Sequence, residues 1–147
     1  MTQSEQLNEL AGALSKAQAA MDGAKKSSAN PFFKSKYADL SAVWEACREP
    51  LTSNGLSVVQ TAGMEGDAVY ITTMLLHSSG QWIKDTLTMK PKDTTPQGVG
   101  STITYGRRYA LSAIAGIAPE DDDGEAAQGR KAGPPTAAEL TQRFQKN

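Results

Sequence analysis

Two adjacent arginines flanked by tyrosines are the residues of this chain whose types and spacing best suit binding chemistry. Arg107 and Arg108 lie between Tyr105 and Tyr109, in a stretch whose apolar spacing predicts the middle of a helix. Guanidinium groups bind phosphate oxygens, and aromatic rings can stack on nucleic-acid bases. An Arg pair on a helix is also typical of a solvated surface, so its surroundings decide between the two interpretations.

Four consecutive acids follow this predicted helix at residues 120–123. Clustered carboxylates can hold Mg²⁺ for phosphodiester hydrolysis, so a Mg²⁺-dependent DNA-processing enzyme is an alternative function. Four adjacent acids point in different directions, however, and acids after a helix oppose its dipole by up to about 1 kcal/mol, so a cation or a basic protein surface should compensate them. We therefore predict an oligomer or cation contact, and no catalytic role, for Glu120, Asp121, Asp122 and Asp123.

A second basic segment lies upstream, in a stretch without helical periodicity. Residues 24–37 contain four lysines and no acid, and aromatic residues alternate with the last two of these lysines. Such alternation suits single-stranded nucleic acid, because the cations meet phosphates and the rings stack on bases or fill the floor of a groove. Phe33 suits the protein core equally well. The segment adds four residues to the predicted DNA-binding set: Phe33, Lys34, Lys36 and Tyr37.

The order of patterns along the chain predicts an α+β fold. An amphipathic helix is expected over residues 4–22 and a second one from Asp39, its N-cap, to about Asn54. Three strands are expected over residues 56–61, 68–77 and 81–89, joined by short turns into an antiparallel β-meander. In the third strand Lys84 faces away from Leu87, which suits the wall of a groove and makes it a predicted DNA contact.

A long central helix should follow the meander. Thr94 or Thr95 can cap it, Pro96 suits its first position, and Gly116 and Pro119 mark its end. One face, rich in small residues, should let this helix lie close to the sheet; it comprises Val99, Ile103, Gly106, Ala110, Ala113 and Ile117.

A change of composition after residue 118 predicts the domain boundary. Residues 1–118 are expected to form one core domain, because a chain of 147 residues is too short for two sizeable cores. Residues 119–147 should form an acidic linker and a flexible, disordered tail. Thr136 and Glu139 have capping-box spacing and predict a short helix there, which would need a partner to be stable.

Composition also limits the class of protein. The net charge of −1 hides a local imbalance, since residues 119–125 sum to −5 and residues 126–147 to +3. The single Cys47 excludes an internal disulfide and fits a reducing compartment, and its place on an apolar stripe predicts a buried packing residue. No apolar run is long enough to span a membrane, and the start of the chain, with Glu5 and Glu9, lacks a signal-peptide pattern. We expect a soluble cytoplasmic protein.

Three blocks of sequence together resemble the phage ERF (essential recombination function) family of single-strand annealing proteins. The main block is Tyr-Gly-Arg-Arg-Tyr-Ala-Leu at 105–111, followed by the acidic run that ends at Gly124. Residues 30–40, Asn-Pro-Phe-Phe-Lys-Ser-Lys-Tyr-Ala-Asp-Leu, and residues 55–60, Gly-Leu-Ser-Val-Val-Gln, are similar to the family's upstream motifs. The one departure is Gly106, where such proteins often have Ala.

The resemblance implies a function and a fold. It implies an ATP-independent protein of phage homologous recombination that binds single-stranded DNA, anneals complementary strands and is not an enzyme. It implies the β-β-β-α core of the eukaryotic annealing mediator, repeated around a ring or helical filament, with Arg107 and Arg108 on the phosphate backbone. The chain has no Walker-type phosphate loop, which agrees with ATP independence. No cofactor is required, although Mg²⁺ suits the acidic run. The expected partners are single-stranded DNA, further copies of the chain and, through the tail, a host single-strand binding protein in the bacterial cytoplasm.

Overall fold

An antiparallel sheet of four strands organises the part of the chain that the computed structural model describes, residues 1–22 and 39–118. Across the sheet the strand order is β1-β4-β3-β2, so β2, β3 and β4 pair consecutively as the sequence predicts. The prediction of only three strands is wrong, because β1 adds a fourth. The elements in chain order are β1 (Thr2–Gln3), α1 (Asn8–Ala19), α2 (Leu40–Ser53), β2 (Leu56–Glu65), β3 (Ala68–His77), β4 (Trp82–Met89) and α3 (Pro96–Ala115).

The described helices lie on one face of this sheet. Alternate residues of the central strand β3 are buried there, namely Val69, Ile71, Thr73 and Leu75. Leu87 of β4 pairs with Ile71 and lies on the same face, whereas Lys84 pairs with Met74 on the opposite face. The predicted alternation of β4 is therefore confirmed. The sheet presents one face to the helices and leaves the other without a helix among the described residues.

The first helix begins later than predicted, because the residues before it pair with β4. Thr2 and Gln3 pair with Lys84 and Ile83, and the amide of Ser4 donates to the carbonyl oxygen of Trp82 at 2.9 Å. Ser4 is therefore not the helix cap. The side chain of Gln81 takes that role, since its Oε1 accepts hydrogen bonds of 2.9 Å from the amides of both Glu9 and Leu10. A residue more than seventy positions away thus supplies the acceptor that orphan helix amides need.

Strand β2 is four residues longer than the sequence predicts. Gly63, expected in a turn, lies inside the strand and pairs with Tyr70. The Tyr70 ring lies across it, since a Cβ at position 63 would clash with the Tyr70 hydroxyl oxygen. The turn is instead made by Gly66, at φ 62°, and Asp67. A glycine covered by a cross-strand aromatic ring can stay in a strand, whereas the sequence alone suggested a break.

Helix α2 forms as its sequence predicts. The Oδ1 atom of Asp39 accepts from the amide of Ala42 at 2.8 Å, and the helix ends at Asn54, before Gly55 at φ 73°. Pro50 lies inside the helix, which continues to Ser53. Cys47 is fully buried, as predicted, and burial raises the pKa of its thiol to about 11. It therefore stays protonated and unreactive at neutral pH.

Helix α3 has the predicted ends but a different buried face. Thr95 caps it by accepting from the amide of Gly98 at 3.1 Å, and Gly116 ends it at φ 78°. Ala113, predicted on the face that lies close to the sheet, is exposed and lines the groove between α3 and β4. Because α3 packs against α2 as well as the sheet, its buried side includes a different set of residues: Arg108, Leu111, Ser112 and Ala115.

Gly106 sets how closely α3 approaches the sheet. A Cβ at this position would lie 2.9 Å from Cγ1 of Ile71 and 3.0 Å from Sδ of Met89. The predicted close approach is therefore confirmed at this residue, and the glycine has a packing role that outweighs its low helix propensity.

Gly106→Ala should therefore destabilise the protein by about 1 kcal/mol. Crowding in a packed core costs about 1 to 3 kcal/mol, which exceeds the gain of up to about 1 kcal/mol in helix propensity. Gly100→Ala is the matched control, because it lies in the same helix with no atom within 4 Å of its added Cβ, and it should stabilise. Urea unfolding monitored by circular dichroism measures both variants; equal stabilisation by the two would contradict the packing role of Gly106.

Candidate nucleic-acid interface

Helix α3 presents two tyrosine rings at its surface. Tyr105 and Tyr109 are 49% and 46% exposed, and their ring centroids lie 4.6 Å apart with planes tilted by 50°. Their hydroxyl groups lie 3.1 Å apart within a hydrogen bond. Residues four positions apart lie on the same side of a helix, which explains the pairing. The result is an aromatic surface held in one orientation.

Arg108 lies beneath these rings and is only 8% exposed. The central carbon of its guanidinium group is 4.6 Å from the ring centroid of Tyr109 and 5.6 Å from that of Tyr105. A cation over the face of an aromatic ring is attracted by the ring quadrupole. In this position Arg108 supports the tyrosine pair from the protein side. Its predicted contact with DNA stays a prediction.

Arg107 is partly exposed and is joined to strand β2 through Gln60. The Nε atom of Arg107 donates to Oε1 of Gln60 at 3.3 Å, and the Gln60 amide donates to the Arg107 carbonyl oxygen at 3.1 Å and to Oγ1 of Thr73 at 3.0 Å. The two terminal nitrogen atoms of Arg107 have no hydrogen-bond partner among the described residues. They can therefore bind an anion without losing an existing bond.

Lys84 does not join this cluster. Its side chain lies on the sheet face without helices, and its Nζ is 5.5 Å from the ring centroid of Trp82. The structure thus brings two predicted site residues of α3 together, Tyr105 and Arg108. Arg107 lies on the β2 side of the same helix, and Lys84 lies on the opposite face of the sheet. The remaining predicted site residues lie outside the described residues: Phe33, Lys34, Lys36, Tyr37, Glu120, Asp121, Asp122 and Asp123. The predicted tail over residues 119–147 lies outside them too.

An apolar groove runs between α3 and β4 beside the tyrosine pair. It has a volume of about 430 Å³ and includes Tyr109 and Ile114 of the helix and Ile83 and Leu87 of the strand. A second hollow of about 320 Å³ lies between Tyr105 and Met89. The rings therefore stand at the rim of a depression that could receive part of a planar ligand.

Two exposed carboxylates near the site have lowered pKa values. The pKa of Asp85 is lowered by a hydrogen bond from the Thr86 amide and by the α-amino group of Met1, 3.4 Å from its Oδ1. The pKa of Asp93 is lowered by hydrogen bonds from the hydroxyl and amide groups of Thr95. Both acids are therefore ionised at neutral pH. Within residues 1–22 and 39–118 no group of three or more metal-ligating side chains occurs.

Sequence reasoning missed two residues of this surface. Tyr109 was not selected, although its spacing of four from Tyr105 is a signal that the sequence contains. Gln60 was not selected either, and no local signal could have found it, because its contact with Arg107 joins elements 47 positions apart.

The fold and this surface define a small α+β domain with an arginine–tyrosine helix lying on an antiparallel sheet. A family model described as the ERF superfamily matches residues 10–147, so the chain belongs to the ERF superfamily. This membership indicates a role related to phage recombination and partners related to DNA. No curated protein and no solved structure matches the chain significantly. None of the helices in the described ranges is long and apolar enough to cross a membrane.

Proposed function

We propose that this ERF superfamily protein binds single-stranded DNA and anneals complementary strands without ATP, as a ring or helical filament of identical subunits. The observation that carries the proposal is the tyrosine pair on α3, half exposed and backed by Arg108. Large aromatic rings are usually buried when their role is packing. A pair that stays exposed and is fixed in place suits a ligand with flat apolar faces, such as unpaired bases.

The fixed orientation of the rings favours base stacking. The hydroxyl–hydroxyl bond and the guanidinium group restrict both rings before any ligand arrives, so little conformational entropy is lost on binding. Stacking on an aromatic side chain contributes about 1 to 3 kcal/mol per base, and it tolerates every base because each has a π face. Annealing needs this tolerance, since the protein must hold strands of any sequence.

Arg107 supplies a cation on the β2 side of the same helix. Gln60 holds its Nε atom, which directs the rest of the guanidinium group while its terminal nitrogen atoms remain available for a phosphate. Contacts with phosphate carry no sequence information and release counterions, so binding should weaken as salt rises. We propose Lys34, Lys36, Phe33 and Tyr37 as further contacts from the basic segment.

Strand annealing then follows without an energy source. Backbone contacts reduce the repulsion between two strands, and a ring or filament holds many nucleotides so that a complement can test its register. Duplex formation is itself favourable, so neither ATP nor a catalytic group is needed. In this proposal the acids at 120–123 contact another subunit or a cation, and the tail contacts a host single-strand binding protein.

Binding and annealing assays test the proposal directly. Fluorescence anisotropy of a labelled oligo-dT should show binding that weakens as salt rises from 50 to 200 mM, and two complementary labelled strands should anneal faster with the protein in the absence of nucleotide. Neither result should require Mg²⁺, so both should also be obtained in EDTA. No binding at low salt would contradict the proposal, and shortened strands in Mg²⁺ alone would favour the DNA-processing enzyme.

A further inference from the structure

The outer edge of β2 is left unpaired by the residues that the structure describes. β2 is the terminal strand of the sheet, and no described strand pairs with its outer side over the ten residues Leu56–Glu65. Exposed edges normally carry Lys, Pro or a bulge, which prevent pairing with other chains. β2 has none of these, and its only charged residue is Glu65 at its end. Such an edge is suited to accept another strand.

The backbone groups that point outwards from this edge follow from the register. The amide of His77 donates to the carbonyl oxygen of Gln81, so His77 directs its backbone towards β4 and away from its partner Leu56 in β2. Backbone direction alternates along antiparallel strands. The outward amide and carbonyl groups of β2 therefore belong to alternate residues: Leu56, Val58, Gln60, Ala62 and Met64. Among the described residues no backbone group pairs with them across the edge.

Two exposed apolar side chains of β2 favour a partner that pairs with the edge of the sheet over one that packs on a face of the sheet. Val59 is 46% exposed and Met64 43% exposed, both on β2. Val59 pairs with Met74, on the face without helices, whereas Met64 pairs with the buried Val69, on the helix face. A protein stacked on one face could not cover both side chains. A strand beside β2 would flank both.

The opposite edge of the sheet, formed by β1 and β4, is partly covered and is therefore less suited to pair with β2 of another copy. β1 pairs with β4 at Ile83 and Lys84, and Oδ1 of Asp85 accepts from the outward amide of Thr86 at 2.9 Å. Pairing β2 with β4 of another copy would also require parallel strands, because β2 and β4 run in the same direction and antiparallel pairing is slightly more stable.

We propose that β2 pairs antiparallel with β2 of a second copy across a two-fold axis, which joins two sheets into one of eight strands. This contact rests on the proposed assembly: it closes a dimer, and a second contact between dimers extends that dimer into the ring or filament. In an antiparallel pair Glu65 lies near the start of the partner strand, so the two glutamates stay apart. The tyrosine pair and the α3–β4 groove lie towards the other edge and remain accessible. Arg107 is hydrogen-bonded to Gln60 of β2 and therefore lies near the two-fold axis. The Arg107 side chains of the two copies can then bind phosphates side by side.

Disulfide trapping tests the two-fold contact. Val59→Cys and Thr61→Cys place a thiol on β2 near the axis, and the native Cys47 is fully buried and does not interfere. Thr88→Cys, exposed on β4, is the control. Oxidation or a short bis-maleimide should give a covalent dimer with Val59→Cys or Thr61→Cys, because the same residue of both copies lies near the axis only in a two-fold pair. No dimer from either, or an equal yield from Thr88→Cys, would overturn the proposal.

A proline at the edge gives a second, independent test. Ala62→Pro removes an outward amide and leaves the bonds between β2 and β3 in place, while Ala62→Ser keeps the amide as the control. Sedimentation should show self-association that is at least tenfold weaker for Ala62→Pro and unchanged for Ala62→Ser. Circular dichroism should show that both variants are folded. If Ala62→Pro unfolds, the disulfide-trapping result decides. A parent that binds single-stranded DNA and self-associates but gives no crosslink through β2 overturns this inference alone. A parent that pairs through β2 without binding DNA overturns the proposed function alone.

Discussion

The double variant Tyr105→Ala/Tyr109→Ala should bind single-stranded DNA at least about 30-fold more weakly than the parent protein. Each ring that stacks on a base contributes about 1 to 3 kcal/mol, so the loss of two rings costs about 2 kcal/mol at the lower limit. Fluorescence anisotropy with oligo-dT at one fixed salt concentration measures the change. Circular dichroism should show a folded protein, because both rings are half exposed and outside the buried core.

The matched control for this variant is Tyr105→Phe/Tyr109→Phe. It keeps both rings and removes only the hydroxyl–hydroxyl bond, an exposed interaction worth about 0.5 to 1 kcal/mol. Its affinity should therefore fall by no more than about fivefold, and the salt dependence of both variants should match the parent's, since no charge is removed. An Ala variant that binds as tightly as the parent would show that the rings do not contact DNA.

Local signals in the sequence were sufficient to predict where α2 and α3 begin. The cap at Asp39 and the cap at Thr95 are each made by a side chain acting on an amide three residues away, so a short window of sequence contains the whole interaction. The alternation of β4 is equally local, and it placed Lys84 on the correct face. The order and type of α1, α2, β2, β3, β4 and α3 agree with the prediction for the same reason, whereas β1 was not predicted.

Long-range contacts explain the errors. Gln81 caps α1 from the far end of a hairpin, and the residues before that helix pair with β4, so no property of residues 1–10 alone reveals where α1 begins. Gly63 remains in β2 because Tyr70 covers it from the neighbouring strand. Leu111 and Ala115 are buried because α3 meets both the sheet and α2, whereas a single apolar stripe predicts one contact face. In each case the deciding partner is distant in sequence.

The sequence suggests one site for the two adjacent arginines, but their substitutions should differ in their effect on stability. Arg108→Ala should lower the free energy of unfolding by about 2 to 3 kcal/mol, because truncating a large buried side chain leaves a cavity and removes two ring contacts. Arg107→Ala should lower it by only about 0.5 to 1 kcal/mol, the worth of one partly exposed hydrogen bond. Urea unfolding measures both values.

For DNA binding we expect the opposite order: the substitution of Arg107 should have the larger direct effect on affinity. Arg107→Ala should reduce the slope of log affinity against log salt by about 1 and weaken binding uniformly across sequences, as expected for one lost phosphate contact. Arg108→Lys keeps the charge but not the planar group that lies under two rings, so it should remain destabilised with an unchanged salt slope. A double Arg→Ala variant would mix the two effects and is best avoided. If Arg108→Ala unfolds like the parent and Arg107→Ala keeps the parent's salt slope, both assignments on α3 are wrong.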